Sequence, residues 1–206
     1  DKVAFRIYGP ALRAGAEDSG IDIWCKRVAT PVVNKWYRQD LTGKQSYHKD
    51  HGEGYDGYKV GDARGCGGLA LWVDGKMVIS DVYQQARVHW TGPDVAEFEA
   101  VYEFPPVNGK KLYELRRYSL RTGERLTRIT SRIASSPGSG RTGGPGLPGV
   151  EVVVGLFTQT AAAEYAFAAD KTNMAVWDKL DGVGIGLGMT FPKGTVSAMK
   201  SAPHAG

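Results

Sequence analysis

Sulfur is scarce in this sequence, and that limits what the protein can be. Two cysteines, Cys25 and Cys66, in 206 residues are too few for a disulfide scaffold. No C-x-x-C spacing marks a zinc knuckle or a dithiol centre. Whether the two pair or stay free, and in which redox compartment, is left open. Long apolar runs are also missing: nothing approaches the roughly 18 consecutive residues of a membrane span, so no membrane partner is expected. There is no initiator Met and no signal segment. The chain opens at Asp1, enters at once into VAFRIYGPAL, and stops in SAPHAG. The expectation is one domain over residues 1–206, cut from a longer or processed chain.

Neither charge sign dominates. Net charge is +4 and the pI is near 9.0. The excess is local, with Lys110, Lys111, Arg116, Arg117, Arg121, Arg125, Arg128 and Arg132 in one stretch. Such a surface suits a polyanion, or is simply a solvated sheet face. No basic-aromatic motif of a nucleic-acid binder accompanies it, so a nucleic-acid partner is not expected.

Glycine and aromatic residues are plentiful. The 28 glycines are about twice what an average share of about 7% would give, and ten Tyr and five Trp accompany them. This composition favours strands joined by tight turns. Val3 to Tyr8 alternates, Phe5 and Ile7 opposing Arg6 and Tyr8, and stops at Gly9-Pro10. Ile21 to Val28 reads as a strand ended by Pro31, and Val33 to Arg38 carries Trp36 and Tyr37 into the same opening segment. Asp74-Gly75 between apolar runs predicts a tight hairpin. Val82 to Trp90 and Val95 to Phe104 continue as strands. Leu112 to Leu120 and Arg125 to Ala134 predict a long hairpin around Thr122-Gly123. Ser135 to Gly149 is a flexible Gly/Pro/Ser loop by composition. Glu151 to Thr158 reads as a buried strand. GVGIGLGMTF reads as a strand with close backbone approach. Only the Ala-rich TAAAEYAFAADKTNMAVWDKL admits a helix, and its alternation admits a strand as well. The predicted fold is all-β: a large twisted antiparallel β-sandwich, supersandwich-like, with little helix.

The most polar stretch is YHKDHGEGYDGYKVGDARGCGG, Tyr47 to Gly68. It has almost no aliphatic residue, so it is not core. His48, His51 and Glu53 form an H-x-x-H-x-E pattern of zinc-ligand types. An odd separation in an extended chain turns the two imidazoles to opposite faces. A divalent metal is therefore the lesser reading, and no cofactor is expected. Gly65 to Gly68 lacks the Lys-Ser/Thr and the helix of a phosphate-binding loop. Cys66 as a nucleophile rests only on histidines upstream.

Acid–base chemistry fits the stretch better. Abstracting a proton alpha to a carboxylate needs a base, a cation on the carboxylate and an acid for the leaving oxygen. His48 or His51 is the candidate base, and Tyr55 or Tyr58 the acid. Arg64 with Lys49 would hold the carboxylate. Lys59 and Glu53 complete the substrate contacts, and Trp36 or Tyr37 would stack on a sugar. Arg6, Arg27 and Lys35 are further candidates outside the stretch. The partner would be an anionic carbohydrate and the chemistry β-elimination from a uronic acid. Asp50, Glu53 and Asp56 also permit a glycoside hydrolase, which uses two carboxylates, or a non-catalytic carbohydrate-binding module. The bland alternatives are ordinary: a histidine in a Gly-rich loop is often only solvated. Carboxylates there often cap their own loop's N–H groups. An Arg64–Asp62 pair at the surface is the ordinary reading of that arginine, and strand aromatics are often core.

AFRIYGPAL, SGIDIWCKRV, NKWY, the Tyr47–Gly68 stretch and YELRRYSLRTGERLTRI together resemble an uncharacterised bacterial family, a domain of unknown function. Its members sit among genes for degrading uronate-rich and sulfated polysaccharides and are longer at both ends. The resemblance covers most of residues 1–190. It implies a carbohydrate context, a secreted or periplasmic protein, and carbon–oxygen lyase or dehydratase activity on uronic-acid oligosaccharides. It assigns no catalytic residue.

Overall fold

A computed structural model describes residues 3–137 and 148–201. Antiparallel strands dominate, in four sheets. The first holds β1 (Val3–Arg6), β2 (Asp22–Lys26) and β3 (Gly54–Tyr55), in the order β1-β2-β3. The second pairs β4 (Cys66–Val73) with β5 (Lys76–Val78) and, on the other side, with β10 (Val150–Leu156). The third is the four-stranded meander β6 (Gln85–Thr91), β7 (Val95–Glu103), β8 (Tyr113–Arg121) and β9 (Thr127–Ala134). The fourth is β11 (Glu164–Phe167), β12 (Asn173–Leu180) and β13 (Val183–Thr190). This is the expected all-β sandwich.

The predicted hairpins form. Asp74 and Gly75 both take positive φ, 50° and 79°, the backbone of a two-residue turn matched to strand twist. β8 and β9 pair from Tyr113↔Ala134 to Leu120↔Thr127. Most of the Ser135–Gly149 loop lies outside the described residues.

The helix lies where none was expected, and strand is where a helix was admitted. Residues Val33–Leu41 form α1, the one α-helix among the described residues. Val32 and Trp36, four apart, turn to one side and are buried against Trp24. Gly43, at φ 68°, ends the run in the left-handed region just past the helix. Conversely, the Ala-rich segment forms β11 and β12. Val176 and Asp178 are buried while Ala175, Trp177 and Lys179 are exposed, and full pairing with β13 overrides helix propensity.

The basic stretch divides by alternation. Arg117, Arg121 and Arg128 face solvent, but Arg116 is fully buried. It makes a two-bond ion pair with Glu114, donates to the Ser19 carbonyl and lies 4.3 Å from the Tyr102 ring.

The first sheet positions the site. Register pairs Arg6 with Asp22 and Ala4 with Trp24, which puts these four on one face. Val3, Phe5, Ile23 and Cys25 take the other face and pack into the core with Val176, Ile185 and Leu187. α1 and the Tyr47 segment cover the Arg6 face. No helix among the described residues is long and apolar enough to cross a membrane.

Candidate active site

Antiparallel pairing brings Arg6 and Asp22 side by side, and Asp56, the residue after β3, lies beside them. The Arg6 Nη2 lies 2.7 Å from Asp22 Oδ2 and 2.8 Å from Asp56 Oδ2. Both carboxylates are buried, while Arg6 keeps an opening to solvent. The guanidinium sits among rings, its carbon 4.9 Å from the Trp24 centroid, 5.3 Å from Tyr8 and 5.8 Å from Tyr47. Its Nη1 points to the Tyr37 hydroxyl at 3.5 Å. Asp22 also accepts from the Trp24 indole and the Ile23 N–H, which fixes it.

The charge count is unbalanced, with two carboxylates to one guanidinium. Burial, then the nearness of Asp56, pushes the Asp22 carboxyl up to about 6, against the pull of Arg6. Burial raises Asp56 as well, opposed by Arg6 and His48. Burial works against the Arg6 charge, yet Asp22, Tyr37 and Asp56 together hold it above its ordinary value.

His48 closes this cluster toward solvent. Its Nδ1 lies 3.1 Å from the Asp56 carbonyl oxygen and 3.6 Å from the Asp56 carboxylate. A carbonyl only accepts, so Nδ1 carries the proton and Nε2 of the neutral ring keeps its lone pair. The side chain is 59% exposed and its ring meets Tyr47 at 4.3 Å. An imidazolium formed here would sit beside a cluster with excess negative charge. Burial raises the Tyr47 phenol, with Arg6 pulling the other way. Tyr47 therefore stays protonated near neutrality.

On the far side of Tyr47 lies a cleft of about 240 Å³, lined among others by Lys35, Trp36, Tyr47, Lys49, His51 and Glu53. The His51 Nε2 donates to the Ser46 carbonyl at 3.1 Å, which leaves Nδ1 as its lone-pair nitrogen. Glu53 accepts from Lys35 and from the Trp36 indole. Asp50 is held by Arg27 and by the N–H groups of Gly52 and Gly54, the loop-capping role its type allows.

Several candidates fall elsewhere. Tyr58 is buried and donates to the Phe157 carbonyl at 2.6 Å, and burial pushes its phenol up. Tyr55 is buried on the opposite side of the first sheet and donates to the Leu180 carbonyl. Neither phenol reaches the cleft. Arg64 is buried too, donating to Ser19, the Leu69 carbonyl and the Asp62 carbonyl, not to the Asp62 carboxylate. Burial and the nearby Arg116 bring it down to about 10. It has no surface for a substrate carboxylate. Lys59 is exposed, but its backbone is tied to Gln159, remote in sequence from α1. Trp36 offers no open face: it stacks on Trp24 at 5.6 Å. Tyr37 is half-buried in the aromatic cluster around Arg6. His48, His51 and Glu53 do not converge, since each has another partner. No group of three His, Cys, Asp or Glu suited to a metal occurs among the described residues. Cys66 is half-buried and desolvation pushes its thiol up to about 12, so a nucleophilic thiolate has no support there.

Asp22 is the residue that sequence reasoning passes over; Tyr47 belongs to the same polar stretch as Tyr55 and Tyr58, the two phenols chosen as the candidate acid. Asp22 did carry a signal. It is a carboxylate between Ile21 and Ile23 in a strand whose antiparallel partner holds Arg6.

No solved structure matches the chain. It is 30% identical over 207 residues to the uncharacterized protein P7 of Formosa agariphila, covering 96% of this chain and 49% of that protein. The chain therefore spans about half the length of the curated relative it matches. The family DUF4861, described as a domain of unknown function, matches residues 1–205. The aromatic-walled Arg6–Asp22–Asp56 cluster thus lies within a chain that belongs to the DUF4861 family.

Proposed function

We propose that this chain acts on uronic-acid-containing poly- or oligosaccharides as a carbon–oxygen lyase or dehydratase, in an exported protein of polysaccharide breakdown. The observation that carries the reading is His48. Its imidazole is oriented by Asp56, opens to solvent at Nε2, and is backed by a buried cluster with one negative charge in excess.

In this reading, Nε2 of His48 takes the proton alpha to the uronate carboxylate. The C–H electron pair forms the new C–C double bond as the bond to the leaving oxygen breaks. The Tyr47 hydroxyl gives that oxygen its proton. The negative cluster stabilises the imidazolium, as a buried carboxylate behind a histidine does in other proton-transfer sites. Lys49 and His51, which line the cleft beyond Tyr47, meet the substrate carboxylate. Arg6 serves from behind, fixing Asp56 and the phenols of Tyr37 and Tyr47. The three roles required of the site are thus filled by His48, Tyr47 and Lys49. A hydrolase built on Asp50, Glu53 and Asp56 is less well supported, because each of these carboxylates is already bound by a cation.

The test is incubation of the intact protein with a panel of uronate oligosaccharides, followed by ultraviolet absorbance and mass spectrometry. A product with a carbon–carbon double bond, lost in His48→Ala, is expected. Reducing ends released without an absorbing product would replace the reading with hydrolysis. Binding without any turnover, unchanged in His48→Ala, would replace it with a binding module.

A further inference from the structure

β13 alternates in an unusual way. Ile185 and Leu187 are buried in the core, and the outward positions alternating with them are Gly184, Gly186 and Gly188. Across the ladder, Trp177 of β12 faces Gly186 and is 54% exposed. Its indole lies down on the glycines. A Cβ at Gly184 would collide with the ring at Cζ2, and one at Gly186 would come within 3.2 Å of Cε3. One face of the indole is therefore packed on bare backbone and the other is open.

The surroundings limit what can cover it. Register puts Glu164, Ala166, Ala175, Lys179 and Gly188 on the same outward face. Tyr165 and Phe167 fall on the opposite side, in register with Val176 and Met174. A protein interface is built around clusters of bulky anchors. Here a single ring stands among small and polar residues, too little apolar surface for such an interface. A pyranose ring suits it better. One face of the sugar presents C–H groups to the negative π-face of the indole, and its hydroxyls reach the polar rim. The Lys179 ammonium provides a cation for an acidic sugar. The ring is already held flat, so little freedom is lost on binding.

We propose that Trp177, lying on Gly184 and Gly186 with Lys179 beside it, is a separate glycan-binding platform on which one pyranose of a uronate polysaccharide stacks. This rests on the reading that the ligand is an acidic glycan, but not on any chemistry at His48. It would hold a polymer while another part of the chain is processed.

The test is electrophoresis of the intact protein through native gels containing alginate or polygalacturonate, with dextran as the neutral control. Wild type and His48→Ala should be retarded equally by the acidic polymers. Trp177→Ala should show at least a tenfold weaker apparent affinity, with turnover of short oligosaccharides unchanged. Gly184→Val should weaken retardation in the same way by lifting the ring. Gly188→Ala, whose added carbon meets nothing closer than the Met174 carbonyl at 3.8 Å, should not. The proposal is overturned if wild type is not retarded by either acidic polymer, or if Trp177→Ala is retarded as wild type is. It is equally overturned if Trp177→Ala only changes oligomeric state in light scattering, which would make the face a self-association surface. Loss of the dehydrated product alone would sink the lyase reading and leave this one standing.

Discussion

Two arginines of this protein are buried against carboxylates on sheet faces, and they differ instructively. Arg116 is matched one to one by Glu114, is fully enclosed, and has its remaining donors on Ser19 and Tyr118. Arg6 meets two carboxylates, remains partly open, and has no partner for its Nε. The first arrangement balances its charge and shuts out water. The second leaves charge unbalanced and places titratable groups between the core and solvent. A balanced sealed pair is what stability asks of a buried ion pair, and an unbalanced open one is what proton transfer asks of a site.

Removing a partner from the sealed pair should have the largest effect. Glu114→Ala leaves Arg116 buried and unpaired, and should cost about 3–5 kcal/mol in denaturant unfolding. Activity should fall only as far as the folded fraction falls. His48→Ala should reverse that pattern. Turnover should drop by about 10²–10⁴-fold, the range of a lost general base, while the unfolding midpoint stays near wild type because the ring is largely exposed. Asp56→Asn comes next. It keeps the backbone carbonyl that orients His48 but removes the negative charge, so kcat should fall more than KM rises. An equal fall in His48→Ala and His48→Ala/Asp56→Asn would show that Asp56 acts through the imidazole.

The Asp22 carboxyl sharpens the comparison through pH. Its folded value, about 6, lies above its ordinary value of 3.8, so the folded state binds the proton more tightly than the unfolded one. The favourable contribution is full below pH of about 4 and is lost as pH rises through about 6. Wild type minus Asp22→Asn should therefore show a stability difference that declines across that window, measured by chemical unfolding at stepped pH. A flat difference would mean that Asp22 is ionised throughout. The smallest effect belongs to Tyr55→Phe, which loses one hydrogen bond to the Leu180 carbonyl. It should cost about 1 kcal/mol and leave turnover unchanged.

Much of the architecture is legible from local signals. Asp74-Gly75 and Thr122-Gly123 announce their hairpins because turn geometry is decided by a few residues. The helix is less legible, because Val33–Leu41 is held by Trp36 packing onto Trp24, a contact with a strand earlier in the chain. Pro31 before it and Gly43 after it were the local clues. The candidate site is legible as a polar loop but not in which of its side chains share a surface. Lys49, His51 and Glu53 do line one cleft, since they ride on the same short loop, while His48 turns instead to Asp56. Tyr58 and Arg64 are separated from them by core packing that no polar pattern announces. Asp22 joins from a distant strand only once register with Arg6 is known.

That distance has a consequence for the order of events as the chain folds. Arg6 and Asp56 stand 50 positions apart, and β10 must reach back to β4 across the whole meander between them. The meander itself is made of neighbours and can close early, whereas contacts of long sequence separation come late and slowly. Until β3 docks, Arg6 and Asp22 lack the second carboxylate, and its arrival forces two negative groups into one buried space. Near pH 6 the docking of β3 should therefore take up a proton from solvent. An indicator dye would register that uptake during refolding.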